Sequence, residues 1–364
     1  MVRFGAMRAE AERVAPPRGC LANLGGVKPP TIRTPMGSAD CRGQPVRPDS
    51  HPVPTRSLAS RSYKDENDLL RMQSLLMEAR SQTDDWRYCH VGEMLFTFFM
   101  VACHLNPQEH IRLWHDELGS LVAYALLGDD PSFDFQVSPQ YQGSGVEAEA
   151  MAWAETLLTD LRRRDAHAWG GNMVSGTRQD DPQRIAFLEQ HGFRYSGDFA
   201  EVNMLRSLVD PIPDSDVPRG CQIRAFAGAD ELSGRAAAQR QVWQPWTVGN
   251  VSDDDYARLM RLPGYHRDLD VVAVTPDGVI AAYVNGWVDP VNRIGDFGPV
   301  GALPAHRRRG LTRAVLLEGL RRMRAHRMDR VCISTGVSNV PALQLYESIG
   351  FRIVNKVLDY VKAE

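Results

Sequence analysis

Three consecutive arginines, Arg307, Arg308 and Arg309, run into Gly310 at the place in this sequence best suited to anion chemistry. Ahead of them the Val- and Gly-rich segment Phe297 to Leu303 reads as a buried strand that ends in a turn at Pro304. Behind them Leu311, Val315, Leu316, Leu320 and Met323 fall on one face at helical spacing. A strand thus feeds a basic, glycine-containing loop that opens a helix. The first N–H groups of a helix lack partners within it and lie at the positive end of its dipole, and a glycine lets a bulky anion approach the main chain. The pattern suits a pyrophosphate group. An arginine run before a helix also occurs as a plain solvated loop, and the tetrapeptide alone does not separate the two readings.

Downstream, Arg330 to Ser334 alternates Val331 and Ile333 with Cys332 as a second strand would, and a helical pattern from Pro341 to Ser348 stops at Gly350. Together, Arg307-x-x-Gly310-x-Thr312 and Asn339-x-x-Ala342-x-x-x-Tyr346-Glu347-x-x-Gly350-Phe351 resemble the acyl-CoA motif and the motif that follows it in the GNAT superfamily of N-acetyltransferases. Thr312 departs from the family's usual Gly or Ala. The resemblance implies acetyl-CoA as co-substrate and no metal. Its binding residues would be Val300, Ala302, Leu303, Arg307, Arg308, Arg309, Gly310, Leu311, Thr312 and Arg313, with Asn339 and Ala342 from the second motif. Backbone donors of Val300 to Leu303 would polarise the thioester carbonyl. Tyr346 stands where the family protonates the leaving thiolate. Asp296, 11 residues ahead of Arg307, stands where the family often keeps a carboxylate that takes the acceptor's proton. On residue type alone, Tyr346 also reads as a core tyrosine, Asp296 as a turn residue, and Arg313 and Glu347 as exposed helix residues.

The elements that would position these groups occur twice. In the first half, an amphipathic helix carries Leu69, Leu70, Met72, Leu75, Leu76 and Ala79, and an apolar patch spans Trp86 to Phe99. Leu113 to Asp116 and Ser120 to Leu127 form a hairpin around Glu117-Leu118-Gly119, followed by a strand at Phe133 to Val137 and a helix from about Val146 to Arg164. Between the last two, Gln140-x-x-Gly143-x-Gly145 repeats the acyl-CoA pattern with both glycines, and Gly192-Phe193 repeats Gly350-Phe351. Aligning these pairs places Asp181 opposite Asn339, Arg184 opposite Ala342 and Leu188 opposite Tyr346, so the first half lacks the phenol. In the second half, Gln222 to Phe226 reads as a strand and Asp230 to Trp243 as a helix. A hairpin then joins Asp270 to Thr275 with Val279 to Trp287 through Pro276-Asp277-Gly278, and Phe351 to Val361 supplies one or two closing strands. The order of elements recurs after about 160 residues, which is the mark of a tandem duplication.

The expected architecture is α/β (α+β): two tandem GNAT domains, each a mixed, mostly antiparallel sheet flanked by helices. Residues 61–207 form the N-terminal, degenerate domain, 208–220 a Pro/Asp-rich linker, and 221–364 the catalytic domain. The arrangement of a weak first half and an equipped second half is similar to that of mycothiol synthase. Residues 1–60 hold a run of prolines and basic residues without periodic apolar positions, so this tail is expected to be disordered.

Composition bounds the rest. A 43% apolar and 24% charged chain of 364 residues has the balance of an ordinary globular protein of about two domains. A net charge of -3 argues against a general nucleic-acid partner. The longest apolar run, Met94 to Cys103, is too short to cross a membrane. The six cysteines lack CxxC spacing, so neither a zinc site nor a disulfide framework is indicated, and a cytoplasmic setting fits. The expected activity is acetyl-CoA-dependent transfer to a primary amine of a small molecule by direct attack in a ternary complex, without an acyl-enzyme on Cys332. The intact first-half loop permits a structural acetyl-CoA there. The alternatives are a catalytically silent acyl-CoA-binding or regulatory protein and a transferase using another acyl or aminoacyl donor. Trp243, Trp246, Tyr256 and Tyr265, with Asp253 to Asp255, either wall an acceptor pocket or complete the core and cap a helix. Oligomeric state is not legible.

Overall fold

A computed structural model of the chain describes residues 58–83, 86–129, 131–244 and 249–363. Trp246 and residues 1–57 of the expected tail lie outside them. The end of that tail is a correction. Ala59–Ser62 form β1, paired antiparallel with β2 (Ile111–His115), so the first half takes in Ala59 and Ser60 from the tail expected to end at residue 60. Polar contacts rather than an apolar pattern hold it: Arg61 donates from Nη1 and Nη2 to the two carboxylate oxygens of the buried Asp68, each at 2.6 Å. Such bidentate pairs are the stronger kind of charged hydrogen bond.

Helix α1 (Glu66–Gln82) follows, capped by Asp65, whose side chain accepts from the Asn67 N–H. It buries Leu69, Met72, Leu75 and Leu76. Helix α2 (Val91–Phe96), continued by a π-turn at Thr97–Val101, occupies the expected apolar patch. The hairpin of β2 and β3 (Leu121–Leu127) and strand β4 (Phe133–Val137) complete a four-stranded antiparallel sheet in the order β1-β2-β3-β4. Helix α3 (Val146–Arg164), strand β5 (Met173–Arg178), helix α4 (Pro182–Gln190) and strand β6 (Arg194–Ser207) finish the first half.

The second half repeats this order. It contains β7 (Gln222–Ala225), α5 (Leu232–Trp243), α6 (Asp253–Leu259), the hairpin β8 (Asp270–Val274) and β9 (Ile280–Asp289), then β10 (Ile294–Ala302). Helix α7 (Leu311–Ala325), β11 (Arg330–Gly336), α8 (Val340–Ser348) and β12 (Arg352–Lys362) close it. The expected mixed, mostly antiparallel sheets flanked by helices are present.

The halves are joined by their last strands. The larger sheet runs β5-β12-β6-β11-β10-β9-β8-β7. Strand β6, from before the linker, pairs antiparallel with β11 over Arg330↔Ser207 to Gly336↔Glu201, while β12 pairs with β5 over Val357↔Arg178 to Lys362↔Met173. Each half therefore lends its closing strand to the other, and this sheet takes strands from both sides of the 208–220 linker. The linker itself runs along α7, where Arg313, Arg321 and Arg324 donate to the carbonyls of Asp214, Pro213 and Asp210.

One apolar core is shared. Leu69, Met72, Met94 and Phe98 of the first half pack with Tyr256, Leu259, Tyr283 and Trp287 of the second. Contact is tight at Gly92, where an added Cβ would lie 2.4 Å from the Trp287 side chain. Only glycine lets the start of α2 come this close to β9 and β10. That approach carries first-half side chains to the candidate site.

Candidate active site

Strands β10 and β11 pair in parallel only from Ile294↔Arg330 to Phe297↔Ile333. Beyond that point β10 continues to Ala302 along β9, and β11 continues to Gly336 along β6, so the sheet splits between them. A register shift at Gly298-Pro299, where proline has no N–H to offer a ladder, marks the start of the split. The Leu303 N–H donates to Ala281 O, and the pairing of β9 with β10 alternates from there. Val300 and Ala302 consequently turn their main-chain groups away from β9 and into the opening. Leu303 has no main-chain group to offer, since its carbonyl accepts from His306. The Ala302 carbonyl accepts from Arg307 Nε at 3.2 Å, fixing the start of the basic loop.

That loop ends at Gly310, the N-cap of α7, with φ of 80°; Arg308 also has positive φ, 63°. Gly310 has no side chain to cap the first turn, which holds no acidic residue, and among the described residues no carboxylate or hydroxyl accepts from the N–H groups of Leu311, Thr312 and Arg313. Arg307, Arg308, Arg309 and Gly310 are exposed. Arg309 Nη1 lies 3.0 Å from His306 Nδ1, whereas Arg313 is engaged by the linker carbonyl of Asp214. This combination of uncapped helix N–H groups and exposed guanidinium groups fits a pyrophosphate.

Asp296 lies in β10 just before the split, opposite Trp287 on one side and Cys332 on the other. It is inside the strand and not at its opening turn. Its side chain is 13% exposed, and Oδ1 accepts from the Cys332 thiol at 3.2 Å. Burial pushes the carboxyl up to about 6. His90 Nδ1 lies 4.0 Å from Asp296 Oδ2, but that nitrogen accepts from the Gly92 N–H while Nε2 contacts Ile294 O. Burial pushes His90 down to about 3, so the imidazole is neutral and forms no ion pair with Asp296. The Cys332 thiol is pushed well up by burial and is a donor to Asp296 rather than a nucleophile.

Tyr346 is 6% exposed, with its ring 6.2 Å from that of Phe351 and no hydrogen bond to its hydroxyl among the described residues. Burial pushes its phenol up. Asn339 stands at the exposed start of α8, where its side chain donates to Thr335 Oγ1 instead of capping the helix, and Ala342 is half-buried one turn later. The split thus has Asp296 on one arm and the β11–α8 segment carrying Tyr346 on the other.

The first half adds groups that sequence reasoning missed. Glu93, in the first turn of α2, is pushed up to about 7 by burial, with Asp296, Glu201 and Asp134 adding to the effect. It lines a small cavity with Cys89, Met94, Thr97, Tyr124, Leu126 and Asp134. No local motif marks it, because its role depends on the tertiary approach of α2 to β10. The aromatic candidates take structural roles instead. Tyr256 and Tyr265 both donate to Asp270 Oδ2, and Trp243 Nε1 donates to Tyr283 OH at 2.9 Å. Asp255 completes a capping box with Ser252.

The structure also resets the register of the first-half loop. The turns Pro139–Tyr141 and Pro304–His306 correspond, and Gly145, φ 98°, caps α3 as Gly310 caps α7. Gly143, φ 74°, then lies opposite Arg308. The equivalent of Arg307-x-x-Gly310-x-Thr312 is therefore Gln142-x-x-Gly145-x-Glu147, two residues on from the frame that starts at Gln140. A glutamate ends it.

A family profile described as Acetyltransferase (GNAT) family matches residues 237–351. A mycothiol acetyltransferase of Kineococcus radiotolerans is 30% identical over 259 residues, covering 66% of this chain and 77% of the relative. The chain belongs to the GNAT family of N-acetyltransferases. A mycothiol acetyltransferase of Thermobispora bispora is 28% identical over 250 residues, spanning 65% and 77% of the two chains. Among solved structures, a GCN5-related N-acetyltransferase from Sphaerobacter thermophilus aligns with a TM-score of 0.56 at 20% identity, covering 84% of this chain and 95% of its own. A tandem GNAT protein from the clavulanic acid biosynthesis pathway also gives 0.56, at 15% identity over 84% and 98% of the chains. The tandem GNAT fold is thus the chain's own. No described helix is long and apolar enough to cross a membrane.

Proposed function

We propose that this GNAT enzyme uses acetyl-CoA to acetylate a primary amine of a small molecule, and that the second half, residues 221–364, carries the reaction. The observation that carries this reading is the split between β10 and β11, with Asp296 at its base and the uncapped Arg307–Gly310 loop at its mouth. The loop binds the pyrophosphate, and the main-chain groups of Val300 with the Ala302 N–H pair with the amides of the CoA arm. Asp296, ionised above about pH 6, takes a proton from the acceptor ammonium. The amine then forms the new C–N bond, the C–S bond breaks, and the Tyr346 phenol gives its proton to the departing thiolate. Backbone N–H groups of the split stabilise the oxyanion formed on the way.

On the first-half side, Glu93 of α2 adds a carboxylate near Asp296, which favours a cationic acceptor. The relatives' name supports an acceptor of the mycothiol-precursor kind, an amine on a small polar molecule. The test is a panel of amines assayed for CoA release and acetylated product by mass spectrometry. The reading expects N-acetyl product with at least one small polar amine, and aminosugar conjugates to exceed peptides. Acetylated product on peptides alone, or none on any amine, would contradict it.

A further inference from the structure

The first half has the same split as the second, and its own side chains fill it. Strand β4 meets β5 only at the single bridge Ser132↔Val174. Gly128 donates to Ser132 O and Ser138 to Val122 O, so the even-numbered residues of β4 bond to β3. Phe135 and Val137 therefore direct their main-chain groups toward the gap, as Val300 and Ala302 do in β10. Arg184 Nη1 donates to Phe135 O at 3.0 Å, with its guanidinium 4.3 Å over the Phe135 ring, and Nη2 meets Asp134 Oδ1 at 2.5 Å. Tyr88 OH donates to Val137 O at 2.8 Å and is itself held by Gln142 Nε2.

The loop is filled in the same way. Glu147 Oε1 accepts from the Gly143 N–H at 2.8 Å, placing a carboxylate at the anion-binding end of α3. Glu149 adds a second negative charge in that turn, and its Oε2 accepts from Trp114 Nε1. The loop from Gln140 to Gly145 contains no basic residue. In the second half the matching positions are Thr312 for Glu147 and Ala342 for Arg184, one without charge and one without length.

We infer that the first half is closed to acyl-CoA by Glu147 in the pyrophosphate position and Arg184 in the groove of the CoA arm, so that each chain binds one acyl-CoA. This rests on the reading that the second half holds acetyl-CoA. A carboxylate already on the loop N–H repels a diphosphate and satisfies the donor that would bind it. An extended, amide-bearing ligand arm has to pair with strand-edge groups. A side chain meets the last carbonyl in both halves, Val137 and Ala302, but the Phe135 carbonyl is taken by Arg184, where its counterpart Val300 has Ala342 in place of an arginine.

The test is isothermal titration of acetyl-CoA into the full-length protein and into a Glu147→Gln/Arg184→Ala double variant, with circular dichroism confirming that the variant is folded. The expected result is one site in the wild-type protein, lost in Arg308→Glu/Arg309→Glu, and a second, weaker site in the double variant. Two sites in the wild-type protein, or one that survives the Arg308→Glu/Arg309→Glu change, would overturn the inference. So would a folded double variant that still binds one equivalent, since these side chains would then not be what closes the groove. No site in the wild-type protein would overturn the acetyl-CoA reading of the second half instead.

Discussion

Tyr346→Phe is expected to lower kcat for acetyl transfer by about 10²–10³-fold, or ~3–4 kcal/mol of barrier, with little change in acetyl-CoA affinity. The ring is a packed element, 6% exposed against Phe351, and phenylalanine keeps that packing. The hydroxyl has no partner among the described residues, so its removal strands no buried donor or acceptor there. Burial also raises the phenol, which stays protonated through the working pH range and is available as an acid throughout. On the proposed mechanism, what the variant is expected to lose is the proton for the thiolate. Stopped-flow or steady-state rates with a direct binding measurement check this. An unchanged kcat would leave Tyr346 as a core residue only.

Asp296→Asn is expected to cost about 10²–10⁴-fold in kcat/KM and to remove the acidic limb of the pH profile. In the wild-type protein the carboxyl titrates at about 6, raised chiefly by burial. Below that pH it is neutral and cannot accept a proton; above it, it is charged and can. Activity should therefore fall as pH drops through 6 in the wild-type enzyme. Glu93, titrating at about 7 in the same buried group of carboxylates, is coupled to this limb, so its apparent midpoint belongs to the group. Stability should move the opposite way. A carboxyl raised above its unfolded value costs folding free energy as pH rises from the ordinary carboxylate range through about 6, because the unfolded chain ionises first. The asparagine variant, whose amide oxygen still accepts from Cys332, should be more stable than wild type at pH 7 and lose that advantage toward pH 4. A variant with full activity and an unchanged acidic limb would exclude Asp296 as the base.

The parts of this protein that were legible in its sequence are those encoded locally. The Arg307–Gly310 loop, the helix behind it and the Tyr346 helix are each written in residue spacing within one segment, and the structure builds them at the places expected. The first-half loop shows the limit of that signal. Gly143 and Gly145 are two residues apart, so a glycine pattern aligns with either of two frames, and only the left-handed caps at Gly145 and Gly310 decide between them. The exchange of β6 and β12 was hidden for a different reason. Both strands carry the same alternating, half-apolar pattern, and nothing within a strand names its neighbour in a sheet. Long-range approach also hid Glu93, His90 and the Cys332–Asp296 contact, which depend on Gly92 meeting Trp287 across the two halves. The role of Asp270 as the anchor for Tyr256, Tyr265 and Arg235 was likewise invisible in a hairpin read only for its strands.

The central claim is that the basic loop of the second half holds the acyl donor for the reaction at Asp296. Steady-state kinetics of Arg308→Glu/Arg309→Glu test it most directly, because both side chains are exposed in the loop and their reversal leaves the core untouched. The account predicts that KM for acetyl-CoA rises by at least about 30-fold, as losing charge-assisted bonds to a diphosphate requires, while KM for the amine holds. An unchanged KM for acetyl-CoA would place the donor elsewhere and contradict the account.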